Sequence, residues 1–207
     1  MNDIIRTKRL RAWIGWLGML LPWIVVLLQL LNTTFMWPAS ISYTWYTNAC
    51  TPFMIILGSA GILLMCYHGY DWVDDLLNTL AGVFGLCICL FPCYGIGKSV
   101  DPVGTFLLQR GISSTIHNIS AVVFFGILAY NAFFQFTKSS GELTRNKKIR
   151  NIIYRVCGIG MLASFSMLLL PDFHIKVWLM ETVALFFFGV SWLTKADRYK
   201  WLFCDNE

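Results

Sequence analysis

From Ala12 to Tyr70 the chain carries no Asp, Glu, Lys or Arg, a charge-free run of 59 residues (positions 12 to 70 inclusive). One membrane crossing takes roughly 20 mostly apolar residues, because each residue rises about 1.5 Å through about 30 Å of hydrocarbon. Two crossings fit inside the run, and no soluble fold requires it. Composition agrees, with 57% hydrophobic and 13% charged residues against a usual charged share of about 25%. Disorder, collagen and coiled coil are excluded by the same figures. Hydropathy excludes a secreted disulfide scaffold even though the chain has seven Cys.

Applied to all 207 residues, the length criterion predicts an all-α membrane bundle of six spans in a single domain covering 1–207. The spans fall at about residues 12–32, 49–67, 76–95, 114–136, 152–170 and 177–194. Basic residues orient it, because Lys- and Arg-rich loops are retained in the cytoplasm. Thirteen of the 16 Lys and Arg fall on one side: Arg6 to Arg11, the segment Lys138 to Arg155, and Lys195, Arg198 and Lys200. Only Lys98, Arg110 and Lys176 fall on the other. An even span count and two basic termini both predict cytoplasmic N and C termini in a multi-pass protein of the cell (inner) membrane. The net charge of +5 is accounted for by topology and contact with anionic lipid, and nucleic acid is not an expected partner.

The basic N-terminus followed by an apolar run has the outline of a signal peptide. The run is too long, however, and Asn32, Thr33 and Thr34 lead into bulky Phe35, Met36 and Trp37 where a cleavage site needs small residues. It reads as a first span. Cys87, Cys89 and Cys157 fall inside spans as ordinary small apolar residues, while Cys50 and Cys93 fall near external ends, where an oxidising compartment would permit a disulfide. Trp13, Trp16, Trp178 and Trp192 read as interfacial anchors, and Gly58, Ser59, Gly61, Gly82 and Gly85 as sites of close helix contact.

Ionisable groups within or beside hydrocarbon are functional candidates by default. The cytoplasmic cluster is His68, Asp71, Asp74 and Asp75. On a helix, positions 71, 74 and 75 share a face, which with His68 makes a weak metal-ligand set. The simpler reading has Asp71 capping the third span while all three acids complement its positive end and pair with Arg155 or Lys195. The external cluster joins different spans: His117, Asn118 and Ser120 at the start of the fourth and Glu181 at the start of the sixth, below an aromatic loop of Tyr43, Trp45 and Tyr46. These seven residues are the candidate ligand site. His117 and Glu181 are also the candidate catalytic pair, a base and its orienting carboxylate. Structural pairing between the helices is the simpler alternative.

Signatures of intramembrane chemistry are incomplete. Ser164 and Ser166 lack the Gly-x-Ser context of a rhomboid protease, and His174 alone cannot supply the late His-x-x-x-His pair of the ceramidase and progestin-receptor superfamily. The HExxH zinc motif, the basic motif of lipid phosphatases and the paired Asp of phospholipid synthases are missing too. Three short segments, Pro38-Ala39-Ser40-Ile41-Ser42, Leu90-Phe91-Pro92 and Ile116-His117-Asn118-Ile119-Ser120-Ala121, resemble the pattern of six-helix membrane proteins. That family groups bacterial and archaeal membrane proteins with the DRAM and Sfk-type proteins of eukaryotes, and the resemblance covers about residues 12 to 195. It implies a six-span bundle with a polar outward or luminal face, links to lipid handling or membrane stress, and interest in His117.

The expectation is therefore a membrane protein that binds a lipid or hydrophobic partner near its external face, without turnover and without a cofactor. A lipid-modifying enzyme using His117 and Glu181, and a small transporter or channel, are the alternatives. A protein partner at the cytoplasmic acids and self-association are further possible contacts.

Overall fold

A computed structural model describes residues 2–31, 36–95, 101–139, 142 and 144–197. The expected end of the first span at Asn32, the segment Thr33 to Phe35, and Lys98, Arg198 and Lys200 lie outside the described residues. Six helices carry the described chain: α1 (Asn2–Gln29), α2 (Cys50–Met65), α3 (Trp72–Leu90), α4 (Arg110–Tyr130), α5 (Arg145–Ser164) and α6 (Lys176–Lys195). All but α2 are long and apolar enough to cross a membrane.

The helix bounds depart from the apolar runs for local reasons. Hydropathy marks where hydrocarbon begins, whereas helices continue into polar sequence as far as their caps allow. Thus α1 extends back through the basic segment, and α3 starts at Trp72 rather than Leu76 because Asp71 caps it, its carboxylate accepting from the Asp74 amide at 2.9 Å. Thr144 caps α5 in the same way. Helix α4 runs on through a π-helical turn at Asn131–Gln135, closed by the Phe136 amide on the Asn131 carbonyl at 2.9 Å.

Each helix packs on the next, and α6 returns to pack on α1, so the six form a closed ring. Two seams are drawn together by facing glycines. A Cβ on Gly15 would lie 3.0 Å from the Gly189 carbonyl oxygen, and one on Gly189 would lie 2.9 Å from that of Gly15, so α1 and α6 touch backbone to backbone. Gly61 and Gly82 do the same for α2 and α3. One hydrophobic cluster inside the ring draws on all six helices, with Phe53, Leu128, Met161, Phe188 and Trp192 among its buried members. Trp178 and Trp192, expected as interfacial anchors, are core residues at 4% and 1% exposure, whereas Trp13 and Trp16 do face outward. The perimeter is apolar, with Leu27, Ile55, Ile119, Val122 and Ile159 all exposed. That is far more apolar surface than a soluble monomer presents.

The ring has two unlike ends. At one, α1 begins and α6 finishes, tied by Lys8 to Asp197 at 2.6 Å; we call it the basic end. At the other, the loop end, a 3-10 turn at Ser42–Tyr46 precedes α2, with Ser42 and Thr44 buried. Arg110 and Lys176 lie at the loop end, as expected, beside the Tyr94 ring and Asp172 respectively.

Candidate functional site

At the loop end the structure separates the residues that the sequence groups together. The carboxylate of Glu181 accepts from the Ile41 amide at 2.5 Å and from Ser42 Oγ at 3.3 Å. It fastens the 3-10 segment to α6, and the Trp178 amide adds a bond to the Ala39 carbonyl at 3.0 Å. His117 is engaged elsewhere. Its Nδ1 lies 2.7 Å from the Phe91 carbonyl, and because a carbonyl only accepts, that nitrogen is the donor. One turn earlier on α4, Ser113 Oγ donates to the Pro92 carbonyl at 2.9 Å. Together they satisfy carbonyls at and beyond the C-terminal end of α3, the role a C-cap otherwise fills. His117 and Glu181 therefore have separate partners, and the expected base and orienting carboxylate are not hydrogen-bonded to each other.

The other members of that expected site behave differently again. Asn118 is exposed on the outer face of α4, and Ser120 is buried. Tyr43, Trp45 and Tyr46 are half-buried and packed onto the bundle rather than presented outward. Tyr46 donates to the Cys93 carbonyl at 2.7 Å, and burial raises its hydroxyl above the ordinary tyrosine range. Beneath the 3-10 segment lies a cavity of about 30 Å³ lined by Ile41, Ser42, Phe53, Phe124, Glu181 and neighbouring aliphatic residues. That is room for about one water molecule and far too little for a headgroup. Cys50 and Cys93 are both free thiols.

At the basic end the acids follow the capping arrangement. Asp71 caps α3 and pairs with Lys138 at 2.5 Å, and the ammonium holds its carboxyl below the usual carboxylate range. Asp74 is fully buried, accepting from the Tyr70 amide at 2.9 Å and Asn78 Nδ2 at 2.7 Å, with Lys195 Nζ at 3.7 Å. Asp75 accepts from the Gly69 amide at 2.5 Å and lies 3.4 Å from exposed His68. The anticipated pairing with Lys195 is present, but Arg155 is on the exposed side of α5, over the Phe133 ring. Each acid of the weak metal set faces a different partner, and the described residues hold no group of three that could share a metal ion.

The same end contains a site that the sequence reading did not single out. A cavity of about 270 Å³ opens among Arg11 of α1, Lys138 after α4, Lys147 and Arg150 of α5, and Lys195 of α6. Tyr67, Tyr70, Gln135, Phe136, Tyr154, Gly69 and Asp197 complete its wall. Two of the cations are seated on rings and backbone rather than on carboxylates. Arg11 lies over Tyr67 at 5.5 Å and donates to the Lys195 carbonyl, and Lys147 lies over Tyr154 at 5.8 Å and donates to the Phe136 carbonyl. Lys195 Nζ sits 3.7 Å from the centre of the Phe136 ring. Those rings are themselves fixed, Tyr67 and Phe136 each packing edge-on against Trp192.

One buried polar chain leads from this end toward the middle of the ring, from Asp74 to Asn78 and on to Asn131, whose Nδ2 donates to Asn78 Oδ1 at 3.2 Å. Charge enters the bundle at this end, where Asp74 is fully buried and the Lys195 side chain is only 13% exposed. A readable signal was present. Arg11, Lys147 and Lys195 each stand near the same-side end of a different helix, with Gln135 and Tyr154 close by. Counting bases for topology alone conceals that convergence.

No family model, curated protein or solved structure matches the chain. The resemblance to DRAM and Sfk-type proteins is thus neither strengthened nor weakened.

Proposed function

We propose that the chain is a six-span protein of the cell membrane, with both termini cytoplasmic, that holds an anionic ligand in the basic cavity without turning it over. The observation that carries this reading is the convergence of five cations, from α1, α5, α6 and the turn after α4, on one cavity of about 270 Å³, where only Lys138, Arg150 and Lys195 pair with carboxylates, those of Asp71, Asp197 and Asp74. Clefts lined by one sign of charge with low-dielectric walls concentrate ions of the other sign. The positive-inside rule places this end in the cytoplasm, where anionic lipid is available. Helix α2 serves as the sixth span: its 16 residues rise about 24 Å, and the polar turns at its ends make up the remaining thickness.

The geometry favours this end over the external site expected from sequence, because the loop-end cavity holds about one water and Glu181 and His117 already have partners. Binding is favoured over catalysis because the wall's one carboxylate, Asp197, is held by Lys8 and Arg150, its other polar groups are cations, phenols and an amide, and His68 points to solvent beside Asp75. Native mass spectrometry from a neutral detergent tests the reading. Anionic phospholipid added to the micelles should be retained in preference to phosphatidylcholine of the same chain length, and the preference should vanish in the double variant Arg11→Gln, Lys147→Gln. Equal retention of both lipids by wild type would refute it.

A further inference from the structure

The charge inventory and the unpartnered atoms of the basic cavity carry the reading one step further, to the class of anion. Of the five cations, Lys138, Arg150 and Lys195 pair with Asp71, Asp197 and Asp74, while Arg11 and Lys147 have no carboxylate partner among the described residues, which leaves two positive charges without a carboxylate. A phosphate monoester carries about −1.5 to −2 at pH 7, whereas the phosphodiester of an ordinary anionic phospholipid carries only one negative charge. Among the cavity-lining residues, Arg11 Nε, a donor, and Gln135 Oε1, an acceptor on a residue only 3% exposed, are buried without a hydrogen-bond partner in the described protein. Gln135 is set in place by the π-helical turn of α4, a feature often found at functional sites. A terminal phosphate presents three oxygens to guanidinium and ammonium donors, and a hydroxyl beside it would serve the glutamine oxygen.

We infer that the ligand of this cavity bears a phosphate monoester, as a lipid headgroup or as a free phosphorylated metabolite. The inference rests on the proposed function and narrows it. A volume of about 270 Å³ takes a phosphate and a few further heavy atoms and no acyl chain, so a lipid ligand would place only its headgroup there.

The test compares full-length protein in neutral detergent with phosphatidic acid and phosphatidylglycerol of matched chains, both titrated by native mass spectrometry. Inorganic phosphate and glycerol phosphate are added in a parallel thermal-shift series. Phosphatidic acid should bind about tenfold tighter than phosphatidylglycerol, the effect expected of one additional charge in a partly desolvated site. Lys147→Gln should remove most of that difference, while Arg155→Gln, which takes a charge from the exposed side of α5, should leave it intact. Stabilisation by glycerol phosphate in the absence of lipid would assign a free metabolite, and binding of phosphatidic acid alone would assign a headgroup. Equal affinity for the two lipids would overturn the monoester inference and leave anion binding standing. Binding of neither lipid and neither soluble phosphate would overturn both. Because a variant that unfolds would also lose binding, each variant is read only against its own melting curve, and Lys147→Arg should restore the preference.

Discussion

Replacing Glu181 by Ala separates a structural fastening from a catalytic carboxylate. The side chain accepts from a backbone N–H at 2.5 Å and a hydroxyl at 3.3 Å, and its removal leaves the Ile41 amide, in a buried residue, without that partner. A hydrogen bond to a charged group in a water-surrounded protein contributes about 1.5–3 kcal/mol. Bonds between membrane helices average nearer 0.6 and reach about 1.7 kcal/mol. The strong bond to Ile41 sits at a loop boundary, between those settings, and the longer bond to Ser42 adds little, so the loss should be about 1–3 kcal/mol. It should fall chiefly on the 3-10 segment, with the ring intact, because the contacts of α6 with α1 and α5 do not involve the carboxylate. The assay is maleimide labelling of Cys93 in a background free of other cysteines. Tyr46, which packs against the Cys93 carbonyl, leaves with the segment, so labelling should accelerate roughly in proportion to the opened population, tenfold for each 1.4 kcal/mol. Glu181→Gln retains an acceptor for Ile41 and should show a smaller acceleration. Unchanged labelling in Glu181→Ala would show that the carboxylate does not hold the segment, and the fastening argument would fail.

Three further outcomes follow from the packing and the ion pairs. Gly82→Ala places a Cβ against the Gly61 carbonyl oxygen and should cost about 1–3 kcal/mol in detergent unfolding, whereas Gly126→Ala, with open space around the new methyl, should be neutral or stabilising. Asp74→Ala leaves Lys195 buried without its carboxylate and should cost about 3 kcal/mol or more, while Asp75→Ala, which loses the Gly69 amide bond and a contact with exposed His68 but strands no buried charge, should cost less in the same melt. Lys138 holds the Asp71 carboxyl below its unfolded range, so that pairing contributes stability above the ordinary Asp value of about 4 and loses it as pH falls through the depressed folded value. The acid limb of a melting-temperature profile should therefore flatten in Asp71→Asn, and an unchanged limb would remove this pair from the account.

Where each helix lies was legible in the sequence because span length and charge-free runs report a one-dimensional property, the distance across hydrocarbon. Capping by Asp71 and the pairing of Lys195 with an acid of the same cluster were legible too, since a cap is local and the charges lie on one side. Which side chains meet across the ring was not. His117 and Glu181 fall near the starts of apolar runs on the same side, yet α4 and α6 are scarcely in contact, and each residue is taken by a nearer partner: the carbonyl that ends α3 for one, a loop amide for the other. The basic cavity was hidden for the opposite reason. Arg11, Lys195 and the group from Lys138 to Arg150 are far apart in sequence, and only closure of the ring through α1 and α6 brings Arg11 beside Lys195. Trp192 shows the same limit: a tryptophan near a span end reads as an anchor until its neighbours Tyr67 and Phe136 are known.

The most direct measurement is an experimental density map of the protein prepared with phosphatidic acid. The account predicts ordered headgroup density at the basic end, in contact with Arg11, Lys147 and Lys195, with Glu181 still bonded to the Ile41 amide. Headgroup density beneath a displaced 3-10 segment, between Glu181 and His117, with none in the basic cavity, would contradict it.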